Sequence, residues 1–340
     1  MSTTLRTVPS PTDAELPKEL QLKIHRLMVQ GRALEERLIA MYKQGDGYFW
    51  IGGPGEEAFN VPLGLLIHKG QGPQFDYCHF HYRQSATMVA MGADPVDSIR
   101  QMKGVASDPY TGGRNFGNHY AKRAWNVCPV TSVIEVQYSF AIGTAIAQKR
   151  EGGQGITVVT GGDAGTAEGD FASCLVWASR PALELPILII VGNNKWGIST
   201  NWDGQHGEKR ISERAKAFGI EAKTIDGNDP ETSYKELAQA MEYVRTKRKP
   251  FMLEAMVSRL YGHSSASGAN AVVDEADCLK GFEARLEKRG YLTRKQMDEM
   301  RAQYQAEFLE AHKRIRKEPM PSGSTIYDHI FQEKDLVRGE

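Results

Sequence analysis

The 340-residue chain balances 42 Lys+Arg against 42 Asp+Glu, and its formal net charge of zero gives no support to nucleic-acid binding or to attraction by a membrane surface. With 41% hydrophobic and 25% charged residues it has the composition of an ordinary globular protein that can bury a sizeable core. The longest apolar run, 185–191, is far too short to span a bilayer, so no membrane association and a cytoplasmic location are expected. Four scattered cysteines, Cys78, Cys128, Cys174 and Cys278, form no C-x-x-C pair and read as reduced structural thiols. The N-terminus lacks a hydrophobic signal core, and Asp13 and Glu15 argue against a transit peptide.

Residues 1–16 read as a flexible arm, and 17–340 as a single α/β domain. Leu20, Ile24, Leu27, Met28, Leu34, Leu38 and Met41 recur at helical spacing over 17–45, closed by Gly45 and Gly47. A glycine-rich stretch, 48–75, includes Gly52-Gly53-Pro54-Gly55 and predicts a short apolar helix near 58–67. The polar-aromatic segment 76–83 is followed by a helical stretch over 85–102, then by a long glycine-rich loop, 104–118. From about residue 130 the pattern alternates. Helices are expected at 137–149, 170–179, 211–218 and 231–247, and strands at 156–160, 185–191, 221–225 and 251–257. That alternation predicts a mainly parallel sheet with helices on both faces. Residues 275–317 are helical and highly charged.

The most informative segment lies between a predicted strand and helix: Gly161-Gly162-Asp163-Ala164-Gly165-Thr166-Ala167-Glu168-Gly169-Asp170. Small residues let backbone amides approach a ligand, and ligands of open parallel sheets bind beyond the carboxyl ends of the strands. Asp163 leaves one strand end; Asn193-Asn194 leaves another, 194 − 163 = 31 positions later. A carboxylate and an amide oxygen there suit Mg²⁺ shared with phosphates, although glycine-rich turns of purely structural purpose look the same. Tyr82-Arg83 and Arg259-Leu260-Tyr261-Gly262-His263 add possible phosphate donors. His79-x-His81 could pair on a metal, but two polar residues on one strand face is the better reading.

Asp163 with Asn193-Asn194-Lys195-Trp196-Gly197-Ile198-Ser199 resembles the thiamine diphosphate signature of two-chain 2-oxo acid dehydrogenases. The resemblance runs over roughly 20–335 and takes in Gly53-Pro54-Gly55-Glu56-Glu57, Tyr82-Arg83, Gly112-Gly113-Arg114, Asn118-His119-Tyr120, Ile225-Asp226-Gly227-Asn228-Asp229 and Gly262-His263-Ser264. It implies a thiamine-diphosphate-binding α/β fold with extra N- and C-terminal helices, and the role of alpha subunit in the decarboxylating component. By position, Asp163, Asn194 and the Trp196 carbonyl would hold Mg²⁺. Tyr82, Arg83, Arg259 and His263 would grip the diphosphate, with Gly162, Gly165 and Thr166 lining it. Ile134 would prop the bent cofactor, Ser132 would contact it and take part in catalysis, and His263 would lie near the reacting carbon. The cofactor would carry the carbanion chemistry. The glutamate that activates it would come from a beta subunit, within an alpha-two beta-two heterotetramer docked on a lipoyl acyltransferase core.

Three departures from the family pattern stand out. Ala164 replaces a glycine, so the turn is expected to place its positive φ on Gly165. The Asp163–Asn194 spacing is lengthened through Ser179-Arg180-Pro181-Ala182, away from the ligand end. After His263 the chain runs Ser264-Ser265-Ala266-Ser267-Gly268-Ala269-Asn270, expected to form a more mobile loop; Ser264 matches a position phosphorylated in mitochondrial relatives. Pyruvate-type members carry a histidine where this chain has Ser85. That difference, the 251–256 segment and the region around Gly290-Tyr291 favour a branched-chain 2-oxo acid such as 3-methyl-2-oxobutanoate. Pyruvate or acetoin dehydrogenase, and a scaffold that has lost its cofactor, are the alternatives.

Overall fold

The computed structural model describes residues 15–272 and 274–328, so most of the expected N-terminal arm, 1–14, lies outside the described residues. In chain order the helices and strands are α1 (Lys18–Lys43), α2 (Glu57–Leu66), β1 (Tyr77–His79), α3 (Ser85–Ala90), α4 (Pro95–Lys103), α5 (Val136–Arg150), β2 (Thr157–Gly162), α6 (Gly169–Ala178), β3 (Ile187–Asn193), α7 (Ser212–Lys216), β4 (Glu221–Asp226), α8 (Pro230–Lys247), β5 (Phe251–Met256), α9 (Cys278–Lys288) and α10 (Arg294–Ile315). The expected 85–102 helix is in fact two. Gly92 adopts φ 95, and Asp94 then caps a new start, its side chain accepting from the Val96 amide at 2.9 Å with Pro95 in the first turn. An Asp-Pro pair ends one helix and opens another because the residue before proline avoids helical backbone, whereas proline itself suits a first helical position.

The strands form one parallel sheet in the order β1-β2-β3-β5-β4. Side chains alternate across it, and both faces are apolar. Val158, Leu188, Ile190 and Leu253 meet Phe59 of α2 and Leu237 and Met241 of α8, while Val159, Ile187, Ile189 and Met252 meet Tyr138 of α5 and Phe171 and Leu175 of α6. Burial on both faces explains why β3 reads as an unbroken apolar run rather than an alternating one. Each such side chain contributes about 1.5–3 kcal/mol when fully buried. A third core joins α1, α3, α4, α9 and α10. There Gly31 of α1 leaves space for Ala86 of α3, and Gly64 of α2 for the Thr87 carbonyl, so these helices approach closely.

Because all five strands are parallel, their carboxyl ends share one edge. Segments 80–83, 163–166, 194–198 and 257–263 leave that edge together from β1, β2, β3 and β5. The lengthened 179–186 connection lies at the opposite edge, as expected. No helix among the described residues is long and apolar enough to cross a membrane.

Candidate active site

Gly162 of β2 pairs with Gly192 of β3, so Asp163 and Asn194 emerge side by side. Asp163 is buried, yet neither of its carboxylate oxygens has a hydrogen-bond partner. Burial raises its pKa, and the Arg83 charge only partly offsets this. Two Asx turns shape the next loop: Asn193 Oδ1 accepts from the Lys195 amide at 3.0 Å and Asn194 Oδ1 from the Trp196 amide at 3.0 Å. Lys195 takes the left-handed φ of 64 that this tight reversal needs. Asn194 Oδ1 keeps one lone pair free.

Arg83 is buried between carboxylates. Its Nε lies 2.7 Å from Glu56 Oε1, with the N–H too poorly aligned to count as a hydrogen bond, so the contact is an ion pair. Burial alone would lower the Arg83 pKa, but Glu56 and its acidic neighbours raise it instead. Beside it, Tyr82 Oη lies 3.4 Å from His263 Nε2. Burial, then the charges of Arg83 and Arg259, brings His263 down to about 4, and burial pushes Tyr82 up to about 12. Both therefore stand neutral at pH 7. His119 Nδ1 faces the Gly117 carbonyl at 3.0 Å and must donate to it, leaving Nε2 to accept from Ser132 Oγ at 2.6 Å. Ser132 is thus oriented by His119.

One cleft of about 150 Å³ collects most of the expected residues: Tyr82, Arg83, Ser132, Ile134, Gly162, Asp163, Gly165, Trp196 and His263 are all on its wall. Three are not. Thr166 is buried with its hydroxyl on the Asp163 carbonyl at 2.6 Å, and Asn194 is buried with its Oδ1 on the Trp196 amide at 3.0 Å. Arg259 donates through Nη1 to the Gly197 carbonyl at 2.7 Å and lies over the Trp196 ring, so it braces the loop rather than facing the cleft. The expected positive φ at Gly165 is absent, and Ala164 does not have one either. The chain forms a short 3-10 turn, Ala164–Ala167. Gly165 leaves space for Glu135, since a Cβ there would come 2.0 Å from Glu135 Oε1 and displace that side chain.

Glu135, Gln137, His81 and Ile198 also line the cleft, and none was assigned to a ligand site from the sequence. A lone acidic residue at the start of the helix before β2 was the available signal for Glu135. Burial pushes its carboxyl up to about 8. His79 points away, with Nε2 2.9 Å from Thr144 Oγ1, so the two histidines do not converge. Ser85 does not line the cleft; its hydroxyl bonds Glu35. The loop after His263 is pinned rather than slack, since Ser265 exchanges backbone and hydroxyl bonds with Trp50. Among the described residues no three His, Cys, Asp or Glu side chains cluster as a metal site.

A family model described as dehydrogenase E1 component matches residues 25–324. The chain is 27% identical over 316 residues to a Bacillus subtilis protein named 2-oxoisovalerate dehydrogenase subunit alpha, covering 91% of this chain and 94% of that one. An Arabidopsis thaliana protein named 2-oxoisovalerate dehydrogenase subunit alpha 2, mitochondrial, is 26% identical over 93% of this chain and 67% of its own length. A mouse protein named 2-oxoisovalerate dehydrogenase subunit alpha, mitochondrial, is 25% identical over 94% of this chain and 73% of its own.

Proposed function

This chain belongs to the dehydrogenase E1 component family, whose members are thiamine diphosphate-dependent and work with a beta subunit, and we propose that it binds that cofactor with Mg²⁺ to decarboxylate a branched-chain 2-oxo acid and pass the acyl group to a lipoyl domain. The observation that carries the reading is Asp163, a buried carboxylate with two unpartnered oxygens beside Asn194. An isolated buried carboxylate is costly unless something pairs with it. The donors at hand are a carboxylate, an amide oxygen and the Trp196 carbonyl, all hard oxygens. Mg²⁺ takes such donors and fills its octahedron with phosphate oxygens and water, so no cluster of several acidic side chains is needed.

When bound, the cofactor supplies the electron sink for decarboxylation. The chain's own part is to bind, orient and exclude water. Arg83 would neutralise the diphosphate, and the backbone at Gly162, Gly165 and Thr166 would line it. Ile134 would prop the cofactor's bend. Neutral His263, held by Tyr82, would offer a nitrogen to the substrate or the incoming lipoyl arm, and Ser132 would present its hydroxyl to the cofactor under the control of His119.

The cleft is about 150 Å³, below the ~300–1,000 Å³ of a closed small-molecule site. Ile134 and Ile198 on its wall are 52% and 62% exposed. Both features suit a site closed by a second chain, here the beta subunit of an alpha-two beta-two heterotetramer docked on a lipoyl acyltransferase core. The substrate preference rests on what the relatives are named for, since Ser85 is not on the cleft wall. Four free thiols among the described residues suit the reducing cytoplasm, where we place the protein.

The test is decarboxylation by this chain co-purified with its beta subunit, followed with an artificial electron acceptor, comparing 3-methyl-2-oxobutanoate with pyruvate at matched concentrations. Activity should require both thiamine diphosphate and Mg²⁺ and favour the branched acid. Preference for pyruvate would overturn the substrate assignment alone. Inactivity with both acids in a well-formed heterotetramer would sink the decarboxylase reading.

A further inference from the structure

Glu135 has no part in the function proposed above, yet the fold makes unusual provision for it. It adopts a left-handed φ of 60, strained for a non-glycine residue, and it opens α5 without capping it. That backbone turns the side chain inward, leaving the residue 3% exposed beneath the cleft. Its carboxyl is wedged between the end of β2 and the 3-10 turn that follows. A Cβ on Gly161 would lie 2.1 Å from Oε2, and one on Gly165 would lie 2.0 Å from Oε1. The two glycines are therefore matched to this side chain. Oε1 accepts from the Gly162 amide at 3.1 Å, and Oε2 accepts from Gln137 Nε2 at 3.2 Å. Gln137 Nε2 also donates to the Thr160 carbonyl at 3.1 Å, tying the same carboxyl back to β2.

We propose that Glu135 is a positioning residue for the cofactor: its carboxyl braces the Gly161–Gly165 segment from beneath and so fixes Asp163 and the backbone that receive the metal and diphosphate. This rests on the reading that the cleft takes thiamine diphosphate. Glu135 acts through the loop and not on the substrate, because both oxygens are engaged and the side chain, although on the cleft wall, is almost wholly buried. Asp163 stands between the two glycines that touch the carboxyl, so a loosened loop moves the metal ligand itself. Groups that orient metal ligands in this way typically govern affinity by about 10–100-fold when removed.

The experiment compares wild type, Glu135→Gln and Glu135→Ala in the complex with the beta subunit. Cofactor affinity is read by tryptophan fluorescence during titration with thiamine diphosphate at fixed Mg²⁺, and loop protection by amide hydrogen exchange over 161–168 without cofactor. Glu135→Ala should weaken affinity about 10–100-fold, with a much smaller change in kcat at saturating cofactor, and should speed exchange. Glu135→Gln keeps an oxygen for Gly162 and should restore most of both. Wild-type affinity and wild-type exchange in Glu135→Ala would overturn the brace while leaving the cofactor reading intact. Faster exchange in Glu135→Ala with no cofactor binding by wild type would do the reverse, keeping the brace and failing the cofactor reading. If Glu135→Ala does not assemble, Glu135→Asp carries the same comparison, because its shorter arm keeps the carboxyl group but withdraws the acceptor from the Gly162 amide.

Discussion

Glu56 and Glu57 are neighbours in sequence, yet each enters a different buried charge cluster, and the two clusters are finished to different degrees. Glu57 takes Arg32 in a fork, Nε to Oε1 at 2.6 Å and Nη2 to Oε2 at 2.8 Å. Arg32 reaches on to both oxygens of Asp277, and the Gly55 amide adds a bond to Glu57 Oε2 at 2.9 Å. Every charged group there is hydrogen-bonded within the chain, the one guanidinium bridging both carboxylates. Glu56 pairs with Arg83 through one poorly aligned contact, and the cluster ends at Asp163, whose oxygens have no hydrogen-bond partner although the Arg83 charge is near. A buried cluster that is complete without a ligand holds helices together. One that leaves a buried carboxylate without a hydrogen-bond partner has room for a ligand, as the proposed function requires.

The sharpest way to break this comparison is to remove one guanidinium. Arg32→Ala strands Glu57 and Asp277 without their cation. It should cost about 3–5 kcal/mol of unfolding free energy, since breaking a buried pair leaves an uncompensated charge. Denaturant unfolding of the complex with the beta subunit would measure it. A loss under 1 kcal/mol would mean that the Arg32 cluster is not the structural member of the pair.

Asp163→Asn should act with the opposite sign on the protein without cofactor. Removing an unpaired buried carboxylate relieves a desolvation penalty, so the melting temperature should rise, by the equivalent of about 1–3 kcal/mol. On the proposed function, the same change should abolish the stabilisation expected from thiamine diphosphate with Mg²⁺, about 2.7 kcal/mol at a hundredfold excess over Kd. Thermal melts with and without the two ligands read both effects. A cofactor-induced shift equal to that of wild type would remove Asp163 from the metal site.

Much of this was legible before any coordinates. Strands β2, β3 and β5 and helices α1, α5, α6 and α8 follow from apolar periodicity and turn residues, and the parallel arrangement then brings Asp163 and Asn194 together as their strand-end positions imply. The break between α3 and α4 was also written, in Asp94-Pro95, but apolar spacing on either side masked it. What could not be read was the direction of side chains in loops and at helix starts. Arg259 turns to the Gly197 carbonyl, Ser85 turns to Glu35, and Glu135 folds under the loop through a positive φ that no pattern announces. Those orientations are set by packing between segments far apart in the chain, where local propensity has no say.

Glu35, a third buried carboxylate, sharpens the comparison with the smallest effect per measurement. It is buried and well bonded: Ser85 Oγ and Asn118 Nδ2 donate to Oε1, the latter at 3.0 Å, and Trp50 Nε1 donates to Oε2 at 2.7 Å. All three donors are neutral, and burial outweighs them, raising its pKa from 4.5 to about 7. Between those two values the folded protein holds a proton on Glu35 that the unfolded chain has released. The contribution of this group to stability therefore falls as pH rises across that window, by up to about 1.4 kcal/mol per pH unit, and levels off above it. Glu35→Gln cannot ionise. It sets an amide donor against one of the existing donors, a penalty that does not change with pH, so only the slope is diagnostic. Unfolding free energies at pH 5, 6 and 7 should show Glu35→Gln gaining on wild type at each step. Parallel curves would mean that Glu35 is ionised in the folded protein at pH 5, and that neutral donors alone can finish a buried carboxylate as completely as Arg32 finishes Glu57.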